Sequence, residues 1–248
     1  MSFFPQHRIS NSDNIRSGNA LPANRTVTGV PMENVVYDDL GLPVIAVADA
    51  FIKAATGAEL PNNATKTYTF PASAVSPTDG TYNSGVADVG RNVVVNVTHA
   101  TSIVALTVTV TGTDVWGKTM SELFTITATG TTKTVNGKKA FKTITSIAIT
   151  SAGDSTTDTA NVGFGDVLGA SYRVRPGAFI QGTFNGTKEA TQGTFVEADA
   201  TTPATTSTGD VRGTYDPNGT LDGAKRVVLI YVAKNGPTDE DGFGVAQV

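Results

Sequence analysis

The stretch "RNVVVNVTHATSIVALTVTVTGTDVWGKTMSELFTITATG", residues 91–130, decides the fold by its period. Val93, Val95 and Val97 alternate with Val94, Asn96 and Thr98. Val104, Leu106, Val108 and Val110 then alternate with Ala105, Thr107, Thr109 and Thr111. A two-residue period sends successive side chains to opposite faces of an extended chain, so each run predicts a strand with one buried face. Gly112, Asp114 and Gly117 interrupt the pattern before Phe124, Ile126 and Ala128 resume it against Thr125, Thr127 and Thr129, which predicts a hairpin with a loop of moderate length.

The pattern continues downstream. In "GTTKTVNGKKAFKTITSIAIT" (130–150) the dipeptide Asn136-Gly137 predicts a tight hairpin turn. The alternation of Phe141, Ile144, Ile147 and Ile149 slips once, and a bulge near Thr145 repairs it. The Gly- and Asp-rich "SAGDSTTDTANVGFGDVLG" (151–169) reads as the best internal break. Short strands separated by Pro176-Gly177 and Asn185-Gly186 follow, then "DATTPATTSTGD" (199–210), a low-complexity linker or long loop. "KRVVLIYVA" (225–233) is apolar on both faces, which predicts a central strand covered on both sides.

Upstream, Val44, Ile45, Ala48, Phe51, Ile52 and Ala55 in "GLPVIAVADAFIKAATGAELP" (41–61) are spaced as one face of a helix with Gly57 as its stop, although "PVIAVADAF" also fits a strand start. Residues 1–40 are polar and carry Pro5, Pro22 and Pro31, spaced too closely for a helix of normal length. They predict an extended arm, either a solvated tail or a strap that orders on a partner. The expected architecture is all-β: an antiparallel β-sandwich, jelly-roll- or Ig-like, with an extended N-terminal arm over 1–40 and one short helix. Residues 41–248 form a single β-rich domain, whose sub-boundary would fall near 152–170.

Composition narrows the function. The chain of 248 residues holds 39 Thr and 26 Gly, a β-branched and turn-forming bias. With 18 Lys plus Arg against 22 Asp plus Glu, it offers no cationic surface for phosphates, so no nucleic-acid partner is expected. It has no Cys, and its two histidines, His7 and His99, lie far apart, so neither thiolate chemistry nor a zinc site is expected. No run reaches the ~18 apolar residues of a spanning helix, and "MSFFPQHRIS" has no secretory pattern. A cytoplasmic site of synthesis is therefore expected, with no membrane partner. The five Asn-x-Thr triplets then follow from threonine content alone.

No nucleophile elbow, phosphate-binding glycine loop or zinc-protease motif occurs, and no cofactor is expected. His99 ends a strand and reads as structural. Asp216, Asn218 and Asp222 in "YDPNGTLDG" lack calcium-loop spacing and read as a turn, and Asp154 and Asp158 complete no site with them. Lys138, Lys139 and Lys142 read as charges guarding a strand edge against aggregation. Trp116, at the hairpin tip, is either a lid on the end of the sandwich or an exposed anchor for another subunit. The residues nominated for partner contact are Phe3, Phe4, Arg8, Ile15 and Arg16 of the arm, with Trp116.

The phrases "GRNVVVNVTHATSIVALTVTVTGTDVWGKTMSELFTIT", "GKKAFKTITSI", "VGFGDVLG" and "GDVRGTYDPNGTLDGAKRVVLIYVA", across about residues 85–248, resemble structural proteins of tailed bacteriophage particles, in particular head decoration or cement proteins. The resemblance implies a β-rich, non-enzymatic homotrimer. It would be made in the host cytoplasm and bound outside the icosahedral head, where it bridges major capsid protein subunits. It carries no transferable contact motif. The alternative is a tail- or fibre-associated carbohydrate-binding module, in which Trp116, Tyr172, Tyr215 and Tyr231 would stack on sugar rings.

Overall fold

Alternating threonine and aliphatic side chains give each strand one apolar face, and two antiparallel sheets pack those faces together. The structure is a computed structural model that describes residues 34–52, 63–70, 85–99, 105–127, 130–151, 159–201, 203–234 and 242–248. The strands in chain order are β1 (Asn34–Gly41), β2 (Val47–Ile52), β3 (Thr65–Thr69), β4 (Val86–Thr98), β5 (Leu106–Thr113), β6 (Thr119–Ile126) and β7 (Thr132–Ser151), followed by β8 (Thr159–Gly169), β9 (Val174–Phe184), β10 (Thr187–Lys188), β11 (Thr194–Val196), β12 (Thr214–Asp216) and β13 (Val227–Ala233). The smaller sheet runs β1-β13-β9-β10. The larger runs β11-β12-β8-β4-β7-β5-β6, with β2 added on β8 and β3 on β7. The all-β sandwich expected from the sequence is the fold.

Two apolar clusters hold it. The first draws Val93, Val95 and Val97 from β4, Leu106, Val108 and Val110 from β5, and Phe124, Phe141, Ile147 and Val162 from their neighbours, so the large sheet encloses a core of its own. The second lies between the sheets, where Val227, Leu229 and Tyr231 of β13 meet Leu168 of β8 and Tyr215 of β12. Each fully buried Val, Leu or Phe contributes about 1.5–3 kcal/mol relative to exposure.

The expected β5–β6 hairpin forms, paired from Leu106↔Ile126 to Thr113↔Thr119. The bulge also falls at Thr145: Thr111 pairs with Ser146 and Gly112 with Ile144, which leaves Thr145 over. Its hydroxyl donates to Thr111 O at 3.0 Å. Asn185 and Gly186, both at positive φ, make the predicted two-residue turn that joins β9 to β10 through the pair Phe184↔Thr187.

Several expectations are corrected. The short helix is replaced over Val47–Ile52 by β2, which pairs with β8 at Val47↔Phe164 and Ile52↔Val162. Pairing on a central strand overrides helical spacing in so short an apolar run, and residues 53–57 lie outside those described. Asn136-Gly137 makes no turn, because β7 runs through it; Gly137 is needed where a Cβ would stand 2.7 Å from Glu122 Oε2 and 2.8 Å from Val93 O. Over 159–169 the presumed break is β8, paired with β4 along its length. Pro176-Gly177 sits inside β9 as an irregularity between Tyr231↔Phe179 and Ala233↔Val174, not between two strands. β13 is central as expected, but Val228 and Ile230 on its outer face are only half-buried. Asn34–Leu40, assigned to the arm, belong to β1, while the contact candidates Phe3, Phe4, Arg8, Ile15 and Arg16 lie outside the described residues.

Candidate functional site

The most concentrated chemistry is a buried ionic cluster where β6, β7, the 199–213 loop and residues 242–248 converge. Lys139 is in phase with Phe141 on β7 and is 0% exposed. Its ammonium donates to three carbonyls: Ser121 O at 2.8 Å, Thr205 O at 2.7 Å and Gln247 O at 3.1 Å. Burial lowers its pKa, opposed by the charges of Glu122 and Asp210. Glu122, in phase with Phe124 on β6, accepts the Lys138 N–H at 2.6 Å and the Lys139 N–H at 3.4 Å. Burial pushes its carboxyl up to about 7, against the pull of those two amides and the Lys139 charge. Asp210 Oδ2 accepts the Ala140 N–H at 3.0 Å. Two carboxylates thus accept three successive backbone amides of β7, those of Lys138, Lys139 and Ala140.

Arg212 completes the cluster. Its guanidinium bonds Asp114 Oδ2 at 2.5 Å and Asp210 Oδ2 at 3.3 Å, all three side chains being buried. Burial works against the Arg212 charge, but the two aspartates outweigh it and hold its pKa above the ordinary value. Asp114 also accepts the Trp116 and Lys118 amides at 2.8 and 2.9 Å, which shapes the hairpin loop. Asp199 closes the 199–210 stretch by accepting Gly209 N–H at 2.8 Å and Thr201 N–H at 2.8 Å, so what read as a linker or long loop is a closed loop.

Other buried polar groups act as ties. Arg91 donates to Gly165 O at 2.8 Å and Val44 O at 2.7 Å, pairs with Asp88 at 3.2 Å and Asp166 at 3.4 Å, and lies over the Phe164 ring at 4.5 Å. Asp38 of β1 accepts the Tyr231 hydroxyl at 2.8 Å, the Ser171 amide at 2.7 Å and the Ser171 hydroxyl at 2.7 Å, and burial followed by the Asp38 charge raises the phenol pKa. Tyr215 donates to Glu189, which also accepts the Gly219 amide at 2.7 Å.

Of the lysines read as edge guards, Lys138 is exposed. Lys139 is the buried tie just described, and Lys142 donates to Ala87 O and Asp88 O at 2.7 Å each. Trp116 packs at 5.4 Å from Tyr172 and 4.8 Å from Phe243, and donates to Ser171 O at 2.5 Å, yet remains 44% exposed. It is a lid over residues 242–248 with one open edge. Tyr215 and Tyr231, nominated with it for sugar stacking, are fully buried. Asp216 and Asp222 stand apart in role. Asp216 lines an open cavity of about 330 Å³ with Asp166, Asn92 and Asn136, and burial, then Asp166, raises its pKa. Asp222 binds the amides of Ala224 and Lys225 at 2.9 and 3.0 Å in a turn. Asp154 and Asp158 lie outside the described residues. Among the described residues no group of three or more His, Asp or Glu side chains is placed to hold a metal.

The surface adds one feature that periodicity missed. Val35 and Tyr37 on β1 are 50% and 63% exposed, and Leu42, Val44 and Ile45, just beyond β1, are exposed as well. They share one short segment at the edge of the small sheet. Compared with family models, curated proteins and solved structures, the chain matches none.

Proposed function

We propose that this chain is a structural protein of a tailed bacteriophage particle that decorates and cements the head. On this reading it is a non-enzymatic homotrimer, made in the host cytoplasm and bound to major capsid protein on the outer surface. The observation that carries the reading is the run of exposed apolar side chains from Val35 through Tyr37 and Leu42 to Ile45, next to the arm the sequence nominates for contact. A solvated β1 has no use for it, whereas desolvated apolar anchors supply most of the energy of a protein interface.

Two further observations support it. In the interior, Lys139, Asp210, Arg212 and Asp38 are engaged by backbone amides, carbonyls or other side chains, which suits a rigid body whose work is to be held. A chain without cysteine keeps that rigidity in a reducing cytoplasm through ionic and hydrogen-bonded ties. Of the aromatic groups of the carbohydrate-binding alternative, Tyr215 and Tyr231 are buried and Trp116 packs on Tyr172, which leaves one edge of Trp116 open to a sugar ring. The test is co-sedimentation of purified protein with empty shells of its virus. Full-length chain should pellet with the shells, and a chain lacking residues 1–20 or carrying Val35→Asp with Ile45→Asp should not. Equal pelleting of all three would refute the reading.

A further inference from the structure

The open cavity of about 330 Å³ takes its polar side chains from four strands, Asn92 of β4, Asn136 of β7, Asp166 of β8 and Asp216 of β12, while Ala48 of β2 and Phe164 of β8 give it an apolar side. Glycine keeps it clear. At Gly165 a Cβ would stand 2.5 Å from Asn92 Oδ1 and 2.9 Å from Val94 Cγ2, so any side chain there would displace both. Asn92 is 1% exposed yet makes only one bond at each end of its carboxamide: Oδ1 accepts the Val167 N–H at 3.2 Å, and Nδ2 donates to Gly137 O at 3.4 Å. Asp166 is met by Arg91 Nη2 at 3.4 Å, and the same guanidinium lies 4.5 Å over the Phe164 ring and holds it in place. Among the described residues nothing bonds the Asp216 carboxylate or the Asn136 carboxamide. Several polar ends thus converge on one space with bonding capacity left over, against a background in which partly enclosed polar groups find partners.

The mixture of groups selects a class of ligand. A metal ion or an organic cation takes acceptors alone and leaves the N–H groups of Asn92 and Asn136 unmatched, and an anion is repelled by both aspartates. A hydroxyl donates and accepts, so a ring that carries several of them engages carboxylates and carboxamides together while its C–H face lies on an aromatic one. We propose that this cavity is a binding site for a neutral sugar ring: Asp166 and Asp216 accept from its hydroxyls, Asn92 and Asn136 bond them in both senses, and Phe164 packs on the ring. Concave sites with an apolar side and a few convergent polar groups are where small molecules bind. The site shares no residue with the aromatic set around Trp116 and needs no shell, so it stands or falls separately from the function proposed above.

The test is nuclear magnetic resonance of the full chain titrated in turn with glucose, galactose, mannose and N-acetylglucosamine, each to about 50 mM, which reaches sites as weak as a Kd of ~10 mM. At least one sugar should shift the Asn92 and Asn136 carboxamide signals and the amides of Gly165 to Val167 in a saturable way. Asp216→Ala and Asn136→Ala, both at exposed positions, should weaken that binding about tenfold and about threefold with the rest of the spectrum unmoved. Calcium chloride and agmatine are titrated alongside. The proposal is overturned if none of the four sugars gives a saturable shift, if calcium or agmatine binds at these signals more tightly than any sugar, or if both variants leave the sugar response intact.

Discussion

Lys139 faces inward because it stands two residues before Phe141 on the same face of β7, and its ammonium has three carbonyls in place of water. Replacing it with Met removes the donor from all three and strips Glu122 of its nearest cation. Lys139→Met should therefore destabilise the fold by about 3 kcal/mol, measured as a lower denaturant midpoint. Glu122 makes a prediction of opposite kind. Its carboxyl titrates at about 7 in the folded chain against 4.5 ordinarily, so the folded state binds the extra proton between those values. Its contribution is full below pH 4.5 and is lost as pH rises through 7, a change of at most about 3 kcal/mol. Glu122→Gln should flatten the decline of stability from pH 4.5 to 7; an unchanged slope would refute the assignment. These charges were legible in part. Arg91 is in phase with Val93, Glu122 with Phe124, and Lys139 with Phe141, so the alternation that marks the core also marks which charges enter it. What alternation lacks is the partner: nothing near Lys139 in sequence points to Thr205 or Gln247, which arrive through the fold.

At the scale of elements, the strands with clean alternation were readable and the dipeptide signals were less so. β5, β6 and the Thr145 bulge follow from side-chain phase, which is fixed by burial. Asn136-Gly137 misleads because glycine serves two needs, a left-handed turn or close approach of other atoms, and only the packing of Glu122 and Val93 reveals the second. β2 misleads for a related reason: Val47–Ile52 suits either period, and Gly163 decides the outcome by letting the Val47 carbonyl lie against β8. Gly163→Ala should accordingly push β2 off β8 at a cost of about 2 kcal/mol, visible as faster amide exchange in Val47–Ile52 with the β5–β6 hairpin still protected. Protection unchanged in β2 would show that the strand is held by its side chains alone.

Taken whole, the molecule is a β-sandwich tied through its interior by ions and hydrogen bonds, with an apolar run at the edge of the smaller sheet. Its fold class was plain in the threonine and glycine content. The arm residues proposed for contact lie outside the described structure, and the exposed run from Val35 to Ile45 escaped notice because sequence alone does not tell an edge strand from a covered one. Whether this edge is the proposed foothold on other subunits is read out by shell co-sedimentation of the Val35→Asp, Ile45→Asp chain beside the unmodified one. Both substitutions are on the surface, so stability should change by no more than about 0.5 kcal/mol. The unmodified chain should pellet with shells, and the equally folded variant should stay in solution. A variant that pellets as fully as the unmodified chain would contradict the proposed foothold.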